Sequence, residues 1–289
     1  MKIAVFYPAG STAWSITKGV CAAFSRMGHE VTDCGDFYTG ELSHDLIFVS
    51  GPEYLWKKLR SMYSLWDEIR APKVGWLHET VEREDYGTNP VAVDGKLPIS
   101  EIKKLTPYLF TPAIQDQKYE LTFLPFGVDT RMFHPTQKEH DFGSIYTGSL
   151  YKARRSFLEK YSEVRTLAGY REYSTVEEYA EAISRASVVL NLPSLSAASN
   201  TRTFEVLASK TALITSAMHF PDSLFKHGEH LLYYQDSPAS AFSELNTTIA
   251  ERLAQQGYEE VIKRHTIEHR LHEILRLINR PLRKFSRKT

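Results

Sequence analysis

NLPSLSAASNTRTFEVLASKTALITSAMHFPDSLFKHGEHLLYYQD, Asn191–Asp236, is the stretch whose reading decides the fold. It begins at the end of an apolar run, Val188-Val189-Leu190, and passes through a loop of Ser, Ala and Asn. A short helix carrying Arg202 and Glu205 follows, then a second apolar run, Ala212–Thr215. Strand, polar loop, helix start and strand is the arrangement that presents a helix N-terminus to a phosphate-bearing ligand. Arg202 and Glu205, three residues apart, share one helical face at the mouth of that crevice.

The same alternation runs outward in both directions. Towards the N-terminus, strands are expected at Ile3–Tyr7, Glu30–Asp33, Leu46–Val49, Val74–Leu77, Tyr108–Thr111 and Thr122–Pro125. A helix is expected over Ile16–Met27, with Val20, Ala23, Phe24 and Met27 on one face. FGVDTRMFHPT, Phe126–Thr136, is rich in turn residues and reads as a linker. Alternation then restarts with a strand at Phe142–Thr147, helices at Arg154–Tyr161 and Val176–Ala186, and a strand at Val188–Leu190. A helix at Thr203–Ser209 and strands at Ala212–Thr215 and Leu231–Tyr233 follow, and helical text continues to about Leu277. Continuous apolar runs with intervening helices imply parallel sheets covered on both faces. Two such halves and one short linker predict an α/β chain of two Rossmann-like domains facing each other across a cleft.

Composition narrows the functional classes. Thirty-five basic and 35 acidic residues give a formal net charge of zero, so the whole molecule is not drawn to nucleic acid or anionic lipid. No run of about 18 apolar residues occurs, and no membrane span is expected. MKIAVFYPAG leads straight into a domain and does not read as a signal peptide. The two cysteines, Cys21 and Cys34, form no zinc pattern and fit a reducing, cytoplasmic setting as idle thiols.

Several positions carry chemistry. Asn200, Thr201 and Arg202, with the backbone N–H groups of Ser199–Arg202, can neutralise a diphosphate; the competing reading is an ordinary N-cap beside a surface Arg. Glu205 can accept two hydrogen bonds from ribose hydroxyls, or stand as a solvated helix carboxylate. Lys152, Arg154 and Arg155 follow Gly148-Ser149 and can stabilise a departing phosphate without a metal, with Arg154 or Arg155 as the inward cation. Positive charge at a helix start opposes the macrodipole, a conflict that a bound anion relieves. His78 and Glu79 stand at a strand end that opens to the cleft, the Glu as base or as orienter of the His. Gly10 and Ser11 follow the first strand as an acceptor-side loop, and Glu79–Pro98 is long enough to line a pocket or act as a lid. Trp14, Trp56, Trp66, Tyr54 and Tyr63 can stack on sugars or bases, although most such aromatics are simply core. The tail from Arg276 to Lys288 is basic, without an acid after Glu273, and can meet DNA phosphates, an anionic polymer or a membrane surface.

Five segments in this order resemble the GT-B glycosyltransferases, enzymes of two Rossmann domains that use nucleotide-sugar donors, and within them the CgeB-like, spore-maturation-related group. They are KVGWLHE from Lys73, FGVDTRMFHP from Phe126, YTGSLYKARRSFLEKY from Tyr146, EEYAEAISRASVVLNL from Glu177 and NTRTFEVLASKTALIT from Asn200. The resemblance implies an acceptor-side domain over 1–130, a nucleotide-sugar-binding domain over 131–270, and a helix end and basic tail over 271–289, with the C-terminal helix packing back on the N-terminal domain. It implies metal-independent, retaining transfer of a hexosyl or pentosyl group, with His78, Glu79 and Arg155 catalytic. Gly148, Ser149, Lys152, Arg154, Asn200, Thr201, Arg202 and Glu205 would hold the donor, and Gly10 and Ser11 the acceptor side. Glu205 matches the second Glu of an E-x7-E pair, while Ala197 stands where the first would fall and Lys210 replaces the usual Gly. That departure bears on the sugar more than on the nucleotide. No Asp-x-Asp sequence occurs, so neither metal nor cofactor is expected. The acceptor is left open among a saccharide, a small molecule or protein, and a hydroxymethylated DNA base. A non-catalytic binding protein and a sugar-nucleotide epimerase or hydrolase are the rival readings.

Overall fold

Strands buried on both faces order each half of the chain. The computed structural model describes all residues except 9–13, 39, 63–65, 83–91, 94, 137–139, 149–151, 162–163, 168–172, 174, 193–199, 218–222 and 280–289. In the first half β1 (Lys2–Phe6), β2 (Glu30–Gly35), β3 (Leu46–Ser50), β4 (Lys73–Trp76), β5 (Tyr108–Thr111) and β6 (Thr122–Phe123) form one sheet. Its order is β2-β1-β3-β4-β5-β6, every pairing parallel. Helices α1 (Gly19–Arg26), α2 (Pro52–Met62) and α3 (Ile99–Leu105) connect these strands.

The second half repeats the plan. Strands β7 (Ser144–Thr147), β8 (Arg165–Leu167), β9 (Val188–Asn191), β10 (Ala212–Ser216) and β11 (Leu232–Tyr234) are ordered β11-β10-β9-β7-β8, again all parallel. Around them run α4 (Lys152–Leu158), α5 (Val176–Ser184), α6 (Thr201–Ala208), α7 (Ala239–Glu244), α8 (Thr247–Arg264) and α9 (Ile267–Ile278). Every residue of β3, β9 and β10 is buried, as their uninterrupted apolar text requires. In both sheets the first strand lies between the second and the third, so each half has a switch point where its connections diverge. Ligand crevices open there, at the carboxyl ends of the strands.

The chain crosses between halves twice, and the crossings touch. Val128 N–H donates to the His265 carbonyl at 3.1 Å and Ile267 N–H to the Val128 carbonyl at 3.0 Å. Gly127 is required at this meeting: a Cβ there would lie 2.7 Å from the Thr266 carbonyl oxygen. After the second crossing α9 packs on α1, with Gly19 giving room to Ile267. Arg26 of α1 donates to Glu268 Oε1 at 2.7 Å and to Asp129 Oδ2 at 3.1 Å. The last helix thus covers the first half, as the sequence led us to expect.

Some boundaries move for physical reasons. The helix expected over Ile16–Met27 opens as a π-helical turn, Trp14–Lys18, before α1. The strand expected to reach Pro125 keeps its ladder only to Leu124, whose N–H donates to Thr111 at 2.8 Å; Pro125 has no N–H to give. Helix α6 begins two residues before the expected Thr203, because Asn200 caps it. β8 has no apolar run and lies outside the expected strands. Trp66 is core, donating through Nε1 to the Leu105 carbonyl at 2.9 Å, and Trp56 is half-buried. Burial, the leading cause, pushes both Cys21 and Cys34 up to about 12, which disfavours their thiolates.

Candidate active site

The switch point of the second sheet is built on Asn191, the buried last residue of β9. Its Nδ2 donates to Thr215 Oγ1 at 2.9 Å, across to β10. Its Oδ1 accepts from Asn200 Nδ2 at 3.0 Å and from Arg202 Nη1 at 3.3 Å. Asn200 is also the N-cap of α6, its Oδ1 accepting from Thr203 N–H at 3.2 Å. One side chain therefore ties the strand end to the helix start, and Thr201 follows it half-buried.

Arg202 is not the surface side chain of the competing reading. It is 9% exposed, its Nε donates to Tyr179 Oη at 3.4 Å, and its guanidinium stands 5.9 Å from the Tyr146 ring centroid. Tyr179 in turn donates to Glu205 Oε2 at 3.5 Å, and Glu205 is 4% exposed. Burial pushes the Tyr179 phenol well above its ordinary range, so it stays protonated and donates. Burial works against the Arg202 charge, yet the Tyr179 and Tyr146 hydroxyls and Glu205 hold its pKa above the usual guanidinium value. Among the described residues, no carboxylate lies within ion-pairing distance of it. Arg202 is a buried cation bonded to neutral oxygens.

Gly148 brings the turn after β7 against that cation. Its φ is +151°, and a Cβ there would lie 2.7 Å from Arg202 Nη2 and 2.8 Å from Tyr146 Oη. Gly148→Ala should cost about 1–3 kcal/mol of stability in urea denaturation and weaken anion binding together, since one clash moves both backbone and guanidinium. Unchanged values of both would show that the turn does not rest on Arg202.

On α4, Arg154 is half-buried and close enough to Tyr234 to act on its phenol, whereas Arg155 is exposed. The spacing left the inward cation open between them and the resemblance gave the catalytic role to Arg155, yet it is Arg154 that the helix phase turns inward. Ser149, the side chain of Lys152, Gly10, Ser11, the first-Glu position Ala197 and the tail from residue 280 lie outside the described residues.

The switch point of the first sheet lies between β1 and β3, and His78 stands beside it, just after the neighbouring β4. His78 Nε2 is 2.8 Å from Ser50 Oγ, and its ring meets Phe126 edge-on at 6.3 Å between centroids. Gly51, at φ +70°, passes close behind it: a Cβ there would lie 3.1 Å from His78 Nδ1. Burial pushes the His78 imidazole down to about 4, so it is neutral at physiological pH. Glu79 Oε1 accepts from Tyr54 Oη at 2.8 Å. Of the long segment beyond it, expected as a pocket lining or lid, residues 83–91 and 94 lie outside the described ones; at its ends Leu97 N–H donates to the Val81 carbonyl at 2.9 Å and Glu82 bridges to Lys96. Among the described residues no cluster of three or more His, Cys, Asp or Glu is gathered as a metal site, and no helix is long and apolar enough to cross a membrane.

Residues 132–276, just over half of the 289, match the family model described as glycosyl transferase-like. The chain belongs to the glycosyl transferase-like family. No curated protein matches it in sequence at a significant level. The architecture of this glycosyltransferase is similar to that of Anabaena HepE solved with UDP and glucose, with a TM-score of 0.65 at 11% identity over 96% of this chain and 99% of that one. Sucrose-phosphate synthase of Thermosynechococcus elongatus gives 0.62 at 13% identity, covering 96% and 99%. A glycosyltransferase of Rickettsia africae gives 0.59 at 10% identity, covering 96% and 97%. At such identities the likeness is one of fold, the two-sheet GT-B architecture.

Three members of this glycosyltransferase's site escaped sequence reasoning. Asn191 ends an apolar strand, Tyr179 sits on the apolar face of α5, and Ser50 closes β3. Asn191 and Ser50 read as core until the strand order sets them at switch points, and Tyr179 until Arg202 bonds to it. The usable signal was a polar residue at the carboxyl end of a buried strand.

Proposed function

We propose that this glycosyltransferase takes its sugar from a nucleoside-diphosphate donor bound at the second switch point and passes it to an acceptor hydroxyl at the first. The observation that carries the reading is Arg202, a buried guanidinium whose hydrogen bonds go to the neutral oxygens of Asn191 and Tyr179. No carboxylate is hydrogen-bonded to this buried cation among the described residues, so an anion arriving at the crevice gains a charge-assisted partner there. A diphosphate lying between Gly148 and the start of α6 meets that cation, the helix N-terminus and the basic start of α4. Glu205 supplies the acceptor for ribose hydroxyls. Charge on the leaving diphosphate is met by arginine and helix dipole, without a bound metal.

On the other side, His78 as a neutral imidazole holds a sugar or acceptor hydroxyl, and Glu79 orients it or takes a proton. His78-Glu79 resembles the His-Asp pair of retaining GT-B enzymes, with Glu in place of Asp, and that likeness supports retention at the anomeric carbon. The transferred group is a hexose or pentose. The acceptor is a hydroxyl of a saccharide, a small molecule or a hydroxymethylated DNA base.

A thermal-shift series with UDP, GDP, CDP and ADP tests the donor half. One diphosphate should raise Tm in proportion to the logarithm of its concentration, with EDTA making no difference. Glu205→Ala should remove most of that shift. Flat curves with all four diphosphates would sink the reading, and a shift abolished by EDTA would sink its metal independence.

A further inference from the structure

The residues His78–Val81 leave β4 and carry the side chains that face the cleft. Loops of this kind wander unless their backbone donors are taken. Here three of the four N–H groups end on buried carboxyl oxygens. His78 and Glu79 N–H both donate to Glu53 Oε1, at 2.7 and 3.0 Å. Val81 N–H donates to Asp116 Oδ2 at 3.0 Å and Thr80 Oγ1 to Asp116 Oδ1 at 2.9 Å. Glu53 comes from the first turn of α2 and Asp116 from the 3-10 turn Ile114–Tyr119, and each is 1% exposed.

The two acids differ. Asp116 is complete, because Thr111 Oγ1 also donates to its Oδ2 at 2.9 Å. Glu53 Oε2 is buried with no hydrogen-bond partner. An acid kept only for cohesion is expected to look like Asp116. We propose that Glu53 is the positioning residue of the catalytic turn: its Oε1 gathers the N–H groups of His78 and Glu79 and thereby fixes where their side chains stand.

The inference rests on the glycosyl-transfer reading for its kinetic consequence, but not for its geometry. Burial pushes the Glu53 carboxyl up to about 8, and Glu79, the charged group acting on it from the facing turn, works in the same direction. His78, which also faces it, is neutral down to about 4. Near neutral pH Glu53 is therefore mostly a neutral acid, able to accept on Oε1 without placing a second negative charge beside Glu79.

A glutamine has the same acceptor and no charge, which sets the experiment. Amide exchange of His78 and Glu79 should be slow in the natural protein and in Glu53→Gln, and about tenfold or more faster in Glu53→Leu. In transfer assays Glu53→Leu should lower kcat by about 100-fold, as expected for displaced reacting groups, with donor affinity kept. Glu53→Gln should restore kcat and remove any change of rate between pH 7 and 9. Equal amide protection in Glu53→Leu, or a kcat it does not alter, overturns the proposal. A protein that turns over no donor refutes the transfer reading instead, and the exchange rates still decide the role of Glu53.

Discussion

Arg202→Met is expected to leave the free protein as stable as before, or more so, while lowering affinity for a nucleoside diphosphate by at least about 100-fold. The two halves of that result have one cause. The guanidinium is buried, and its hydrogen bonds, at 3.3 and 3.4 Å, are long ones to neutral oxygens. Taking it away strands neither partner: Asn191 Oδ1 still accepts from Asn200 at 3.0 Å, and Tyr179 still donates to Glu205. Methionine fills the space with apolar, pliable volume. The attraction between the guanidinium and Glu205 is lost, but so is the cost of burying the guanidinium, and the two changes offset each other. What disappears is the positive charge that the proposed function sets against the phosphates. Calorimetric titration beside a melting curve measures both. A Tm lowered by several degrees with affinity intact would reverse the argument and make Arg202 a structural residue.

The opposite outcome is expected at Arg270, whose removal should cost about 3–5 kcal/mol. This arginine is also buried, but its bonds are short and numerous. Nε donates to the Pro125 and Phe126 carbonyls at 2.9 and 3.0 Å, and Nη1 to the Arg264 carbonyl at 3.0 Å. Nη2 meets His265 Nδ1 at 2.5 Å. Burial first, and Arg270 next, push His265 down to about 3, so its Nδ1 stays available as an acceptor. Burial also draws Arg270 down to about 10, which leaves it charged at neutral pH. Arg270→Leu would orphan three carbonyls where the chain crosses between its halves. A Tm about 10 °C lower is the expected reading for a chain of this size, without a matching change in diphosphate affinity. A variant that melts with the natural protein would show that water replaces the guanidinium.

The contrast between these arginines explains how much could be read from sequence. Apolar runs such as Val188–Leu190 and Ala212–Thr215 had to become buried strands, and their alternation with helices gave the parallel order. Arg202 and Glu205 were legible as one helical face, since spacing alone determines that. Burial of Arg202 was not legible, because it depends on Tyr146 and Tyr179, which arrive from β7 and α5. Whether Arg154 or Arg155 turns inward depends on where α4 starts, a matter of one residue that periodicity does not resolve. Glu53 looked like any acid in the first turn of a helix, where negative charge is usual. Its contact with His78 joins residues 25 apart that meet only because β3 and β4 are neighbours.

The return of α9 to α1 has a consequence for synthesis. A protein leaves the ribosome from its N-terminus, and its first half commonly folds before the rest has emerged. Here that half waits. Gly19 and Arg26 meet their partners Ile267 and Glu268 only after the entire second half has been made. Until then α1 presents an uncovered face, and a nascent chain stalled before residue 267 carries a first half that is not yet closed.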